Sequence, residues 1–290
     1  MQKQLKKNGL IIALDQEKAY DKIAHDYLWR VLQTYGFSDK FINTVRMLYQ
    51  NPETKVMING TISTSYKVNR GVRQGDPMSC LLFDLAIEPL AAMLRNSNLT
   101  GYEIPGHEEK LIANLFADDT TTFLSENDSI GDLESILNKW CKASTAKFNI
   151  QKTEIIPIGT EDYRKKVIEH RKISENGDKI PEDRHIVKDG EAVRILGAWM
   201  GKKVEVNGIW APLVEKIDME LERWEKVNPT IEGRKLIVQM VVGGMTQYLT
   251  NVQKMTGQVE KRLTKRIRHF LWGERKCPQL TLKHSLPQKL

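Results

Sequence analysis

The chain has 290 residues, of which 40% are hydrophobic and 28% charged, and its formal net charge is +7. This composition is ordinary for a globular protein, and the length allows one large domain or two smaller ones. Its three cysteines are far apart and form no C-x-x-C pair, which argues against both a cysteine zinc site and a disulfide framework. The most apolar stretch, residues 80–94, is shorter than the roughly 20 residues of a membrane span. We therefore expect neither zinc nor a membrane span.

The positive charge is concentrated near the C-terminus. From Lys254 onward the sequence has ten Lys or Arg but only two Glu, whereas the preceding part is close to neutral. A basic segment of this kind predicts a polyanionic partner, most often nucleic acid. A membrane surface is the alternative, but the segment lacks a strong aromatic face opposite its charges.

The first half of the chain predicts a mixture of strands and helices. Strands are predicted at residues 10–15, 54–59 and 63–68 and twice within 111–124, and helices at about 26–35, 39–50 and 76–96. Asn59-Gly60 predicts a tight hairpin turn. Asp76-Pro77 predicts a helix start, because Asp is a good N-cap and Pro suits the first helical position.

The second half changes from mixed structure to helix. It predicts a helix at 130–144, a strand at 153–158, a polar helix and loop within 161–191, a hairpin formed by 193–199 and 203–206, and helices at 210–227, 232–251 and 257–272. This order indicates an α+β domain followed by a helical one.

Carboxylates stand at the ends of two apolar runs. Asp15 ends the first strand, and Asp118 and Asp119 separate the two strands within 111–124. Carboxylates at the ends of buried strands are costly unless they are paired or bind a metal. One interpretation is a simple Asp-Asp turn. The other is a Mg²⁺ site, in which a pair of ions about 4 Å apart activates a 3′-hydroxyl and stabilises departing pyrophosphate.

Five segments, in order, resemble the motifs of reverse transcriptases from non-LTR (LINE-type) retrotransposons. They are LDQEKAYD at 14–21 (motif A), RGVRQGDPMS at 70–79 (motif B), FADD at 116–119 (motif C), NIQKT at 149–153 (motif D) and ILG at 195–197 (motif E). Each segment alone is weak evidence, but the ordered set is highly specific.

The resemblance implies an α+β fold, with a right-hand polymerase palm followed by an α-helical thumb. The palm, a ferredoxin-like antiparallel sheet with helices on one face, would occupy residues 1–200 with the fingers largely absent. The thumb or connection region would occupy 201–290. The implied activity is RNA-directed DNA polymerase, with an RNA template, a DNA primer and dNTPs as partners. It also implies two Mg²⁺ ions, which Mn²⁺ could replace, and an intracellular site in the nucleus, the cytoplasm or both.

The resemblance also implies roles for individual residues of the palm. Asp15 and Asp118 would bind metal with support from Asp119. Lys152 would protonate the leaving pyrophosphate, although a solvated surface lysine is the alternative. Tyr20 would be a steric gate against a ribose 2′-hydroxyl, although an ordinary core tyrosine is the alternative. The other predicted contacts are backbone N–H groups of Gln16 and Ala19 facing the triphosphate, Gln74 at the nucleotide or template, Gly75 allowing close backbone approach, and Leu196-Gly197 in the primer grip.

The last predicted helix carries cations at i, i+4 spacing. Lys261, Arg262, Lys265 and Arg266 could follow a phosphate backbone and give salt-sensitive, sequence-independent binding. A solvated helix face is the alternative for each residue. Leu263, Ile267, Phe270 and Leu271 would then form the core face of the helix.

Two other functions stay open. One is a catalytically inactive nucleic-acid-binding remnant of such an element, and the other is a two-metal nuclease of RNase H type. Only fourteen residues precede Asp15, so the resemblance leads us to expect that most of the fingers is missing from this sequence. We therefore expect the 290-residue chain alone to extend a primer poorly or not at all.

Overall fold

The computed structural model describes residues 7–104, 106 and 110–273. The chain divides into two compact units, Met1–Lys188 and Asp189–Leu290. Both helices and strands are present, which confirms the predicted α+β class. Within the described residues no helix combines the length and apolarity needed to cross a membrane. Cys80 and Cys141 are free thiols, and Cys277 lies outside the described residues.

The first unit contains a central sheet, short hairpins and six helices within its described residues. Its elements are β1 (Gly9–Gln16), α1 (Ala19–Lys22), α2 (His25–Thr34), α3 (Asp39–Leu48), β2 (Glu53–Thr54), β3 (Met57–Ile58), β4 (Thr61–Ile62), β5 (Tyr66–Lys67), α4 (Ser79–Arg95), β6 (Tyr102–Glu103), β7 (Lys110–Leu111), β8 (Ala113–Phe116), β9 (Asp119–Ser125), α5 (Ile130–Ser144), β10 (Phe148–Ile158), α6 (Glu161–His170) and β11 (His185–Ile186).

The central sheet has five strands in the order β11-β10-β1-β9-β8. All neighbours are antiparallel except β10 and β11. Strand β1 lies between two partners, which explains its nearly continuous apolar sequence. Its alternate residues Leu10, Ile12 and Leu14 join a hydrophobic core with residues of α2, α4 and α5. The sheet therefore packs against these helices. The C-terminal end of β1 lies at the edge of the sheet that is formed by strand ends.

Two predicted boundaries in this unit were wrong. Helix α4 begins at Ser79, because the Asp76 side chain accepts a 2.9 Å hydrogen bond from the Met78 N–H and forms a turn before the helix. Strand β10 begins at Phe148, five residues before the predicted start at 153. Its first two residues, Phe148 and Asn149, pair with Gln16 and Asp15 at the end of β1, beyond a register shift.

The predicted Asn59-Gly60 hairpin is confirmed. Strands β3 and β4 pair on either side of the turn, and both turn residues have positive φ, as a type I′ turn requires. The regular strands are much shorter than predicted, and β2 and β5 form a separate two-residue ladder.

The second unit is mainly helical. Its elements are β12 (Val193–Ile195), β13 (Ala198–Met200), α7 (Val206–Glu225), α8 (Ile231–Val238), a π-helical segment (Gln239–Gly243), α9 (Gly244–Gln253) and α10 (Gly257–Trp272). Its own hydrophobic core includes fully buried Trp210 and Phe270. The predicted hairpin was wrong in its second strand, because β12 pairs with β13 and residues 203–206 do not form a strand.

Candidate active site

The three predicted carboxylates meet at one edge of the central sheet. Strands β1 and β9 are antiparallel neighbours, and their last paired residues are Leu14 and Thr120. One step further along each strand are Asp15 and Asp119. Asp118 lies beside them in the turn between β8 and β9. Residues more than 100 positions apart in sequence are therefore brought together by strand pairing.

The turn that carries Asp118 is tight. Phe116 pairs with Asp119, so only Ala117 and Asp118 connect β8 to β9. Ala117 has a φ of 51°, a left-handed conformation that is uncommon for a residue with a side chain. Such conformations cost about 1–3 kcal/mol and concentrate at functional sites. The turn interpretation of Asp118-Asp119 is confirmed, and the metal-site interpretation stays a prediction.

Negative charge is clustered at this site. The pKa of Asp119 is raised, first by burial and then by the charges of Asp118 and Asp15. One cation reaches the cluster: Lys152 Nζ lies 3.4 Å from Asp15 Oδ2. The Lys152 side chain is 66% exposed, so this ion pair stabilises the fold by at most about 1 kcal/mol.

No group of three or more His, Cys, Asp or Glu side chains is arranged to hold a metal ion in the part of the chain that the structure describes. The chemistry of the donors nevertheless fits a hard divalent cation, since carboxylate oxygens are its preferred ligands. The mutual repulsion that raises the pKa of Asp119 would also be relieved by such a cation.

Tyr20 lies in α1, close to the carboxylates. Its ring stacks on Phe83 of α4, with centroids 4.6 Å apart and an interplanar angle of 11°. The neighbouring Cys80 thiol, followed by burial and the negative charges of Asp84 and Asp118, raises the pKa of Tyr20 to about 12. The hydroxyl is therefore protonated at neutral pH. Sequence reasoning missed Cys80 and Phe83, whose only signal was their three-residue spacing in the helix after motif B.

The segment before α4 approaches α1 through Gly71. A Cβ at Gly71 would lie 2.7 Å from Tyr20 O and Asp21 Cα, so only glycine fits. Gly75 behaves differently, because its φ is 87° but a Cβ there would meet nothing within 4 Å. It is a turn residue here, and its predicted closeness to a ligand stays a prediction. Gln74 is exposed beside it.

The side chains of Gln16 and Ala19 point into the protein rather than to solvent. Ala19 is buried in the core. Gln16 is 4% exposed, and neither of its amide atoms has a hydrogen-bond partner among the described residues. Their predicted contacts through backbone N–H groups stay predictions.

In the second unit, Leu196 and Gly197 form the turn between β12 and β13. Both have positive φ, and the Tyr248 hydroxyl donates a hydrogen bond to the Leu196 carbonyl. A Cβ at Gly197 would lie 2.9 Å from the Tyr248 ring. The predicted primer-grip residues therefore form a specific turn that is held by α9.

Helix α10 presents two kinds of cation. Arg262 and Arg266 form ion pairs with Asp218 of α7 at 3.0 and 3.3 Å, and Arg266 also pairs with Glu225 at 2.8 Å. Lys261 and Lys265 are exposed and form no ion pair within residues 7–104, 106 and 110–273. The predicted core face is confirmed, since Leu263 and Phe270 are buried and Ile267 and Leu271 pack against them. The basic residues after 273 lie outside the described residues.

Comparison with known proteins points to one family. The reverse transcriptase (RNA-dependent DNA polymerase) family profile matches residues 1–199. The chain is 27% identical over 275 residues, 92% of its length, to the "Transposon TX1 uncharacterized 149 kDa protein" of Xenopus laevis. It is 33% identical over 115 residues, 39% of its length, to the Pol polyprotein from the "type-2 retrotransposable element R2DM" of Drosophila melanogaster. The matched segments span 20% and 10% of these two relatives, respectively.

Proposed function

The chain belongs to the reverse transcriptase family, and we propose that it carries out RNA-templated DNA synthesis as the polymerase portion of a non-LTR retrotransposon protein. The observation that carries the proposal is the placement of Asp15 beside Asp118 and Asp119 on adjacent strands. This cluster lies within the family match. We assign the palm to the first unit and the thumb to the second.

The metal ligands in this proposal are Asp15 and Asp118, with Asp119 in support. Bound Mg²⁺ ions would lower the barrier by activating the primer 3′-hydroxyl and neutralising charge on the phosphates. The support is the donor set and the clustered negative charge, which adds to the effect of burial in raising the pKa of Asp119. Mn²⁺ offers the same preference for oxygen ligands and is expected to substitute.

The other residues in this proposal would bind the substrates or hold them in position. Lys152 neutralises Asp15 in this structure, and it could protonate pyrophosphate only after leaving that ion pair. The Tyr20 ring, fixed by stacking on Phe83, is suited to block a ribose 2′-hydroxyl. In the second unit, the exposed Lys261 and Lys265 are suited to phosphate contacts because neither is committed to an ion pair within the described residues.

The test is Asp118→Asn in single-nucleotide incorporation, with an RNA template, a DNA primer, dNTPs and Mg²⁺. We expect incorporation to fall by at least about 10²–10³, the typical loss when one preorganised electrostatic element is removed. Primer–template affinity should stay nearly unchanged, because the phosphate contacts lie elsewhere. Asp132→Asn makes the same chemical change at an exposed position of α5 and should leave incorporation unchanged.

Two results would contradict the proposal. Incorporation that survives Asp118→Asn would remove the assigned metal site. Tight primer–template binding with no incorporation under any divalent metal, both by the unsubstituted chain and by the chain joined to a fingers segment, would instead favour the inactive nucleic-acid-binding remnant.

A further inference from the structure

The β2–β5 hairpin, residues 53–67, projects from the first unit between motifs A and B. Each of these fifteen residues is exposed to solvent. The segment after the hairpin is attached to α1, because the Gly71 N–H donates a 2.7 Å hydrogen bond to the Ile23 carbonyl and the Val72 N–H donates one of 2.7 Å to the Tyr20 carbonyl. The base of the hairpin is therefore anchored beside the helix that follows β1, the strand that ends at the candidate active site.

The tip of the hairpin is apolar on both of its faces. Met57 pairs directly with Ile62, and Ile58 belongs to the next pair of the ladder. Opposite residues of a ladder share a face and successive residues alternate, so Ile58 lies on the other face from Met57 and Ile62. The three side chains are 67%, 70% and 60% exposed, respectively. A hairpin that covers a protein core is apolar on one face only, so this tip favours a partner that passes on both sides.

Below the tip the hairpin is polar and basic. Residues 53–73 include four Lys or Arg and a single acid, Glu53. Lys55 and Lys67 lie in the exposed lower part of the hairpin, together with several Ser and Thr hydroxyls. Such cations and hydroxyls are the groups that contact the phosphates and sugars of nucleic acid. The combination of a basic base and an apolar tip favours nucleic acid as the occupant.

We propose that this hairpin opens the nucleic-acid duplex ahead of the polymerase site, with Met57, Ile58 and Ile62 placed against the first base pair. The inference rests on the proposed polymerase function, which supplies nucleic acid as the occupant. Met and Ile are among the side chains that proteins insert between base steps. Apolar side chains on both faces allow one separated strand to pass on each side of the tip. At about 3.3 Å per residue, the arm 53–59 carries the tip roughly 20 Å from the anchored base.

The experiment measures opening of a downstream duplex without turnover. The probe is a dideoxy-terminated DNA primer on an RNA template, with a second RNA strand annealed ahead of the primer and 2-aminopurine in the first pair of that duplex. The gap between the primer end and the duplex is varied from none to about six nucleotides, which covers the reach of the hairpin. The tip variant carries Met57→Ser, Ile58→Ser and Ile62→Ser. Met57→Ser alone is compared with Met47→Ser in α3, because these two methionines are 70% and 65% exposed.

We expect the unsubstituted chain to raise the 2-aminopurine fluorescence, because the base leaves the stack when the duplex opens. The tip variant should reduce this increase at least about fivefold, since the tip supplies part of the cost of unstacking a base step. Met57→Ser should show part of this loss, and Met47→Ser should show none. Affinity for the same primer–template without the downstream strand should stay within about twofold in every variant, because phosphate contacts supply that affinity.

Three results would overturn the inference alone. The first is a fluorescence increase that is absent from the unsubstituted complex or undiminished in the tip variant. The second is a lower melting temperature, or a change from dimer to monomer, in the tip variant, since either would show that the tip packs against protein. The third is incorporation through the downstream duplex that is equally fast with and without the apolar tip.

Failure of the proposed function gives a different result. Opening that depends on the hairpin, with no incorporation by the chain alone or by the chain joined to a fingers segment, would overturn the polymerase function and support the duplex-opening role.

Discussion

The basic face of α10 gives the sharpest prediction, because the structure divides its four candidate cations into two pairs. Lys261 and Lys265 are exposed, one helical turn apart and without an ion pair among the described residues. Arg262 and Arg266 are engaged with acids of α7. We therefore expect replacement of the lysines to weaken nucleic-acid binding and replacement of the arginines to weaken the fold.

The binding effect can be estimated from counterion release. Each phosphate contact contributes about 0.9 to the slope of log K against log salt for duplex DNA. The double variant Lys261→Gln, Lys265→Gln should thus reduce the magnitude of this negative slope by about 1.8. The reduction should be similar for nucleic acids of different sequence. The assay is fluorescence anisotropy with an RNA/DNA hybrid and duplex DNA over a series of KCl concentrations.

The stability effect concerns Arg266, whose side chain is only 15% exposed. Burial raises the pKa of Glu225, but the hydrogen bond and charge of Arg266 outweigh burial and leave this pKa lowered. Arg266→Gln leaves the partly buried Glu225 without its main partner and leaves Asp218 with Arg262 alone. We expect a loss of about 1–3 kcal/mol of unfolding free energy, measured with urea.

The two double variants serve as controls for each other. An unchanged salt slope in the lysine variant would refute nucleic-acid binding by this face. A lower slope with full stability in the Arg262→Gln, Arg266→Gln variant would show that the ion pairs with α7 are not structural.

Three further predictions concern the first unit. Asp119→Asn should raise the melting temperature at pH 7 more than at pH 4. Because the pKa of Asp119 is raised in the folded protein, its charged form destabilises the fold, and this effect disappears as pH falls through that pKa. An equal increase in melting temperature at both pH values would contradict the assignment. Gly71→Ala should destabilise the fold by more than Gly75→Ala. Both substitutions place a Cβ on a residue with positive φ, which costs about 1–2 kcal/mol, but only the Cβ at position 71 would also collide with backbone atoms. Equal midpoints of urea unfolding would show that the close approach at Gly71 is unimportant. Asp128→Ala should cost about 2–4 kcal/mol in urea unfolding, because this buried carboxylate accepts three backbone N–H hydrogen bonds, and a loss below 1 kcal/mol would refute that role.

Local pattern was sufficient to predict most elements and the family. The apolar run of β1, the Asn59-Gly60 turn and the amphipathic spacing of α5 and α10 all match the structure. Such patterns are informative because backbone conformation and the inward-facing side of an element depend on neighbouring residues. The ordered motifs also predicted the reverse transcriptase family, and the profile match confirms this prediction.

The tertiary structure decided which distant residues meet. Periodicity placed Asp15 and Asp118 at strand ends, but only the order of strands in the sheet brings them to the same edge. The same holds for the stacking of Tyr20 on Phe83, and for Arg266, which sequence alone presented as a surface cation. These contacts join residues separated by 41 to 103 positions, so no local pattern encodes them. They form because folding buries apolar faces and pairs strands that are distant in sequence. The side chains that become neighbours in this way are not specified by the helix or strand propensity of single residues.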